Sequence, residues 1–227
     1  MIFPYKYTYL LMGIVFFVIW LILFLWKKDT RKEMLFTTIL FAIAGPIADI
    51  FYTIDWWNPE TITGTRIGVE SIFVGGMIGG VSAIIYEDFF KKKIIKRKKK
   101  VGTKKELIIP PILILAVILF LATYLIIKNS FLATLVALLI PTFYIWFKRS
   151  DLIPDSIFSG ILLVLVASIS YGILNLLTPG WVEQFWLFKN VPNVIIFNLP
   201  LDDLAWYFSA GLFIGPLYEY WKEIKFK

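Results

Sequence analysis

Apolar residues in this chain do not alternate with polar ones. They run in long blocks: Tyr5–Trp26, Leu35–Ile54, Ile67–Phe90, Leu107–Ile127, Phe131–Phe147, Ile157–Leu177 and Leu201–Trp221. A helix rises 1.5 Å per residue, so crossing a hydrocarbon core of ~30 Å takes about 20 apolar residues. Each block meets or approaches that length, Phe131–Phe147 being the shortest. A half-buried strand would alternate, and open sheet edges are not tolerated in lipid. The pattern therefore predicts an all-α integral membrane protein of seven transmembrane helices. The first block is too long for a signal-peptide core and carries no small-residue cleavage site, so it is expected to be retained. Composition agrees: 59% of the residues are hydrophobic and the mean hydropathy is +0.78. A soluble domain is typically about 45–50% apolar, and after seven spans no room is expected for an appended soluble domain.

The charges orient the spans. Of the 23 lysines and arginines, 19 follow the first, third, fifth and seventh blocks, ten of them within Lys91–Lys105. Only Lys6, Arg66, Lys128 and Lys189 fall on the other side. By the positive-inside rule this predicts a multi-pass protein of the cell membrane with its N-terminus outside and its C-terminus cytoplasmic. The run KKKIIKRKKK at Lys91–Lys100 is read as an orientation signal lying on anionic headgroups, making membrane lipids a partner. No aromatic residue interleaves it for base stacking, and no nucleic-acid partner is expected.

The chain also resembles itself. FTTIL at Phe36–Leu40 matches FSGIL at Phe158–Leu162, and VESI at Val69–Ile72 lines up with LDDL at Leu201–Leu204. In the second register Glu70 falls on Asp202, Gly79 on Gly211, Tyr86 on Tyr218 and Glu87 on Glu219. The first span then corresponds to the fifth. This predicts two parallel three-helix repeats, residues 1–90 and 129–227, joined by a basic loop and a connecting span at 91–128, about a pseudo-twofold near the membrane normal.

The chain contains neither cysteine nor histidine. Disulfides, thiolate chemistry, histidine base catalysis and the usual transition-metal ligands are therefore excluded. Chemistry is left to carboxylates, tyrosines, backbone or a bound cofactor. The loop after the second span gathers Asp49, Asp55, Glu60 and Glu70 near Trp56, Trp57 and Arg66, and its counterpart ends at Asp202 and Asp203. Most of the tryptophans fit an aromatic belt at the headgroup level. Glu60 reads as a surface charge, and Glu87 and Glu219, beside lysines at the other end, as topological or ion-paired. Asp49, Glu70 and Asp202 lie inside apolar runs or in their first turns, where a carboxylate usually faces a cavity or a partner. If Glu70 and Asp202 face each other they form a coupled dyad that shares a proton. Helix N-capping is the alternative role for Asp202.

With these residues in view, the chain resembles the membrane-embedded lycopene cyclase domain family of carotenoid synthesis. Asp55-Trp56-Trp57-Asn58-Pro59, followed by Gly64 and Gly68, is similar to that family's tryptophan-rich loop. Pro200-Leu201-Asp202-Asp203 is similar to its Pro-x-Glu-Glu motif. The first repeat keeps only Val69-Glu70-Ser71, with serine for the second acid. The resemblance implies a redox-neutral cyclisation that needs no cofactor, acting on a hydrophobic polyene or isoprenoid. An acid protonates the terminal alkene, the neighbouring alkene closes the ring on the tertiary cation, and a base removes a proton. It implies Glu70, Asp202, Asp203, Asp49 and Asp55 as acid–base candidates. Tyr52, Trp56, Trp57, Tyr171 and Trp206 are implied as lining residues whose aromatic faces stabilise the moving cation. No metal site is expected.

Other seven-span functions fit less well. A retinal protein needs a lysine in the middle of its seventh span, and Leu201–Trp221 has none. An intramembrane prenyltransferase needs two aspartate-rich motifs, and Asp202-Asp203 is a single pair. A non-enzymatic carotenoid- or lipid-binding protein, or a small transporter, remains the rival class. It would use Gly45-Pro46 and the Gly75-Gly76 and Gly79-Gly80 pairs as helix breaks, which close helix packing also explains.

Overall fold

Each polar interruption between apolar blocks ends a helix. The computed structural model describes residues 2–90, 94–95, 110–196, 199–223 and 225–226, and apart from two-residue strand pairings its regular structure is helical. A single 3-10 turn at Tyr5–Tyr7 leads into α1 (Thr8–Trp26), followed by α2 (Arg31–Asp55) and α3 (Val69–Phe89). Then come α4 (Pro111–Ile127), α5 (Ser130–Lys148), α6 (Ile153–Leu177) and the short α7 (Trp181–Phe185), with α8 (Leu201–Ile214) and α9 (Leu217–Lys222) last. Among the described residues, five segments are long and apolar enough to cross a membrane: Tyr5–Trp26, Arg31–Asp55, Val69–Phe89, Ser130–Lys148 and Ser150–Leu177. The helix α4 is apolar but only 17 residues long. The block Leu201–Trp221 departs from the expected single helix, because it divides at Gly215-Pro216 into α8 and α9. Pro216 has no N–H to offer the preceding turn, and its ring crowds that turn.

The helices are inverted relative to those of a soluble protein. Along α2 the exposed apolar positions are Leu35, Ile39, Ile43, Ile47, Ile50 and Ile54, one stripe at helical spacing. The opposite face buries Glu33, Thr37, Asp49, Tyr52 and Thr53. The helix α6 repeats this with Ile161, Leu165, Ile169 and Leu176 outward and Asp155, Ser159, Ser170 and Tyr171 inward. Apolar side chains suit a hydrocarbon surround, while polar ones need partners inside.

In the interior α3 packs on α1 and α2, α8 packs on α5 and α6, and α3 and α8 touch each other. Two crossings depend on missing side chains. A Cβ on Gly45 would lie 2.3 Å from the Ser71 carbonyl oxygen, and one on Gly211 would lie 2.6 Å from that of Ser159. These glycines serve close approach of the helix pairs α2–α3 and α6–α8. Because the obstacle is backbone, Gly45→Leu must push α3 off α2. We expect it to cost about 1–3 kcal/mol, the usual range for overpacking. The readout is a lowered Tm of the detergent-solubilised protein, and an unchanged Tm would refute the tight crossing.

The loops after α2 and α6 are tied together at one end of the bundle. Asn58 N–H donates to the Phe185 carbonyl at 2.8 Å, and Leu187 N–H to that of Trp56 at 2.9 Å. At the opposite end, the basic run 91–100 lies outside the described residues except for the backbone of Ile94–Ile95, which pairs antiparallel with Lys225–Phe226. Glu87 and Glu219 correct an expectation there. Rather than ion-paired at a boundary, both are fully buried, and the Glu219 carboxyl lies beside that of Glu33. The neighbouring lysine reaches backbone instead, with Lys27 donating to the Glu87 carbonyl at 3.1 Å.

Candidate active site

Beneath the joined loops lies a cavity of about 180 Å³, lined by both halves of the chain. Its walls come from α1, α2, α3, α5, α6 and α8, with Trp56, Trp57 and Trp186 contributed by the two loops. Two carboxylates line it, Asp49 and Asp203. Asp49 accepts from the Tyr9 hydroxyl at 3.1 Å and from Ser71 Oγ at 2.5 Å. Asp203 accepts from the Tyr171 hydroxyl. Both acids are nearly sealed from outside.

The two arrangements are related through the sequence. In the register that sets Phe36 on Phe158, Asp49 falls on Tyr171; in the register that sets Glu70 on Asp202, Ser71 falls on Asp203. On one side the acid stands on α2 and the hydroxyl on α3. On the other the hydroxyl stands on α6 and the acid on α8. Each half thus carries one acid–hydroxyl pair, with the roles exchanged between its two helices. Where the first repeat has Ser71 in place of a second acid, the carboxylate of Asp49 stands beside it.

Aromatic rings surround these acids. Tyr9 meets Trp57 edge to face at 4.8 Å between centroids, and Trp57 lies 5.4 Å from Trp186. On the other wall Tyr52 contacts Trp56 at 4.8 Å, and Trp206 contacts Tyr207 at 5.0 Å. Tyr52 exchanges a 2.8 Å hydrogen bond with Thr134 and accepts from Trp206 Nε1 at 3.4 Å. All five aromatic residues singled out in the sequence, Tyr52, Trp56, Trp57, Tyr171 and Trp206, line the cavity.

The remaining acids lie elsewhere. Asp55 accepts from the backbone N–H and hydroxyl of Ser130 at 2.8 and 2.5 Å, which fastens the end of α2 to the start of α5. Glu70 accepts from Ile62 N–H at 2.6 Å and so holds the loop between α2 and α3. Asp202 stands in the first turn of α8, whose N-cap is Pro200, and accepts from Trp56 Nε1. Neither Glu70 nor Asp202 lines the cavity. Sequence reasoning missed Tyr9, Ser71, Tyr207 and Trp186. The signal for Ser71 was present, since extending the two repeat registers pairs it with Asp203.

A helical bundle with spans of membrane-crossing length, holding two carboxylates against an aromatic cavity, defines a membrane protein whose interior suits an apolar ligand. The lycopene cyclase family model matches residues 5–89 and 129–221, well over half of the chain, and the chain belongs to that family. Membership implies a hydrophobic carotenoid substrate and a membrane setting. The matched segments contain every cavity residue named above and leave out the basic stretch and α4. No curated protein and no solved structure matches the chain.

Proposed function

We propose that the chain is a carotenoid cyclase that closes a ring on a polyene end group by acid–base chemistry, with Asp203 and Asp49 as the reacting pair. The observation that carries this reading is that both carboxylates line one aromatic cavity, each with its own hydroxyl partner. Asp203 delivers a proton to the terminal alkene, leaving a tertiary cation. The next alkene attacks that cation, a carbon–carbon bond closes the ring, and the positive charge moves to a ring carbon. Asp49 takes a proton from an adjacent carbon, and its electron pair forms the ring alkene. One proton enters and one leaves, so the reaction is an isomerisation. Asp49 accepts from two hydroxyls and Asp203 from one, and donors aimed at a carboxylate suit the group that ends as the anion. The ring faces of Trp57, Trp56, Trp206 and Tyr207 stabilise the cation as it moves. An apolar cavity of about 150 Å³ takes up benzene, so this one has the scale of an end group rather than a whole polyene.

The test is expression in a lycopene-accumulating bacterium, with pigments separated by chromatography. Cyclic carotene supports the reading. Unchanged lycopene with membrane-inserted protein counts against it and favours a binding protein.

In the membrane, α4 and the α8–α9 pair complete seven crossings, and residues 1–90 and 129–227 form two parallel repeats. The support is the lopsided lysine distribution and the matched packing of α3 and α8. Because the chain has no cysteine, a single introduced one is a clean reporter of sidedness. Lys128→Cys is expected to react with a membrane-impermeant maleimide on intact cells, and Lys28→Cys only after lysis. The reverse pattern would invert the topology.

A further inference from the structure

A second cluster of acids lies at the other end of the bundle, away from the cavity. Glu33 in the first turn of α2, Glu87 in the last turn of α3 and Glu219 in α9 bring carboxylate oxygens within 4.8 Å of one another. Asp155, in the first turn of α6, is buried with them and interacts electrostatically with all three. The four come as two related pairs. The register of Phe36 on Phe158 sets Glu33 on Asp155, and the register of Glu70 on Asp202 sets Glu87 on Glu219. The same first register sets Lys27 on Arg149. These two cations behave alike: Lys27 donates to the Glu87 carbonyl at 3.1 Å, and Arg149 to the Glu219 carbonyl at 3.5 Å. Lys27 also pairs with Asp88, and Arg149 with Asp151.

What points to a ligand is the state of the carboxylates. Glu33, Glu87, Asp155 and Glu219 are all at most 2% exposed. No hydroxyl or side-chain N–H of the described residues donates to either oxygen of Glu33, Glu87 or Glu219, or to one oxygen of Asp155, and the Glu33 and Glu219 carboxyls stand within hydrogen-bonding reach of each other. The second oxygen of Asp155 accepts from Ser159 Oγ at 3.2 Å. Buried polar groups are satisfied in all but a few cases, and a buried carboxylate left alone is among the costliest exceptions. A cation between the carboxylates supplies the missing partner. Oxygens held 2.0–2.6 Å from a common ion lie no more than about 5 Å apart, and the observed spacing fits inside that limit. An all-carboxylate donor set, without nitrogen or sulfur, selects a hard divalent ion of the magnesium, manganese or calcium class.

We propose that Glu33, Glu87 and Glu219, with Asp155 beside them, form a binding site for one hard divalent cation that joins the two halves of the bundle at the end opposite the cavity. The site draws on α2 and α3 from one half and on α6 and α9 from the other. The ion thus does at this end what the paired loops do at the tryptophan end.

The experiment uses the full chain in a non-ionic detergent, stripped with a chelator and titrated with Mn²⁺ alone under electron paramagnetic resonance. One equivalent of Mn²⁺ is expected to leave the free-ion signal, to return on addition of excess Mg²⁺ or Ca²⁺, and to raise Tm. The variant Glu33→Gln, Glu219→Gln is expected to lose both the bound ion and the Tm rise. An undiminished free Mn²⁺ signal with folded wild-type protein would overturn the proposal, because the carboxylates would then be held neutral by shared protons. Stoichiometric binding that persists in the folded double variant would overturn it too, by placing the ion elsewhere. If the double variant does not fold, Asp155→Asn serves in its place, with an expected weakening of about tenfold, and unchanged affinity would remove Asp155 from the site.

Discussion

Asp203→Asn is expected to leave lycopene as the sole pigment in cells where the wild-type chain makes cyclic carotene. The amide has nearly the shape of the acid and still accepts from the Tyr171 hydroxyl, so the bundle should assemble normally. What it loses is a proton it can deliver to an alkene. A positioned general acid typically contributes 10²–10⁴-fold, and a loss within that range takes product below chromatographic detection in growing cells. Asp202→Asn provides the contrast. Asp202 stands one position earlier on the same helix, bonds Trp56 and does not line the cavity. Its replacement should slow ring closure through the placement of Trp56 without abolishing it. If Asp202→Asn were silenced while Asp203→Asn stayed active, the donor would be the other member of the pair.

How this site was hidden in the sequence follows from helix geometry. Continuous apolar blocks are a strong signal, and the ends of α1, α2, α3 and α6 fall within a few residues of the block ends. The division at Gly215-Pro216 was legible in principle, but an apolar flank on each side masked it. The acidic motif at Asp202-Asp203 was legible as a pair, yet neighbouring residues on a helix point about 100° apart. Nothing in the pair alone says which member faces inward. The partner acid was obscured differently. Matching like with like across the repeats sets Glu70 on Asp202 and draws attention to two acids that hold loops and tryptophans. The chemistry is conserved between the halves only if an acid is allowed to match a hydroxyl, as Asp49 matches Tyr171 and Ser71 matches Asp203. Tyr9 and Tyr207 carried no signal, since each is one aromatic residue in an apolar run and only packing shows that Tyr9 reaches Asp49 and that Tyr207 lines the cavity.

That exchange of roles leads to the other large effect. Asp49→Asn is expected to stop ring closure as fully as Asp203→Asn does, because a cation that cannot lose its proton cannot become product. Removing both acids should do no further harm, since groups that act as a unit lose their effect together. The exchange also predicts a route back. Ser71 Oγ lies 2.5 Å from Asp49 Oδ2, so a carboxylate on residue 71 reaches nearly the place that the Asp49 carboxylate leaves. The chain with Asp49→Asn and Ser71→Asp then carries its acid on α3, as the other half carries Asp203 on α8. Chromatography should show cyclic carotene again, at a fraction of the wild-type yield. A purely structural role for Asp49 predicts otherwise: the single variant would keep its activity in proportion to folded protein, and the added aspartate would only burden a crowded helix crossing. Recovery of product without recovery of protein level separates the two, because a relocated base restores chemistry whether or not it restores stability.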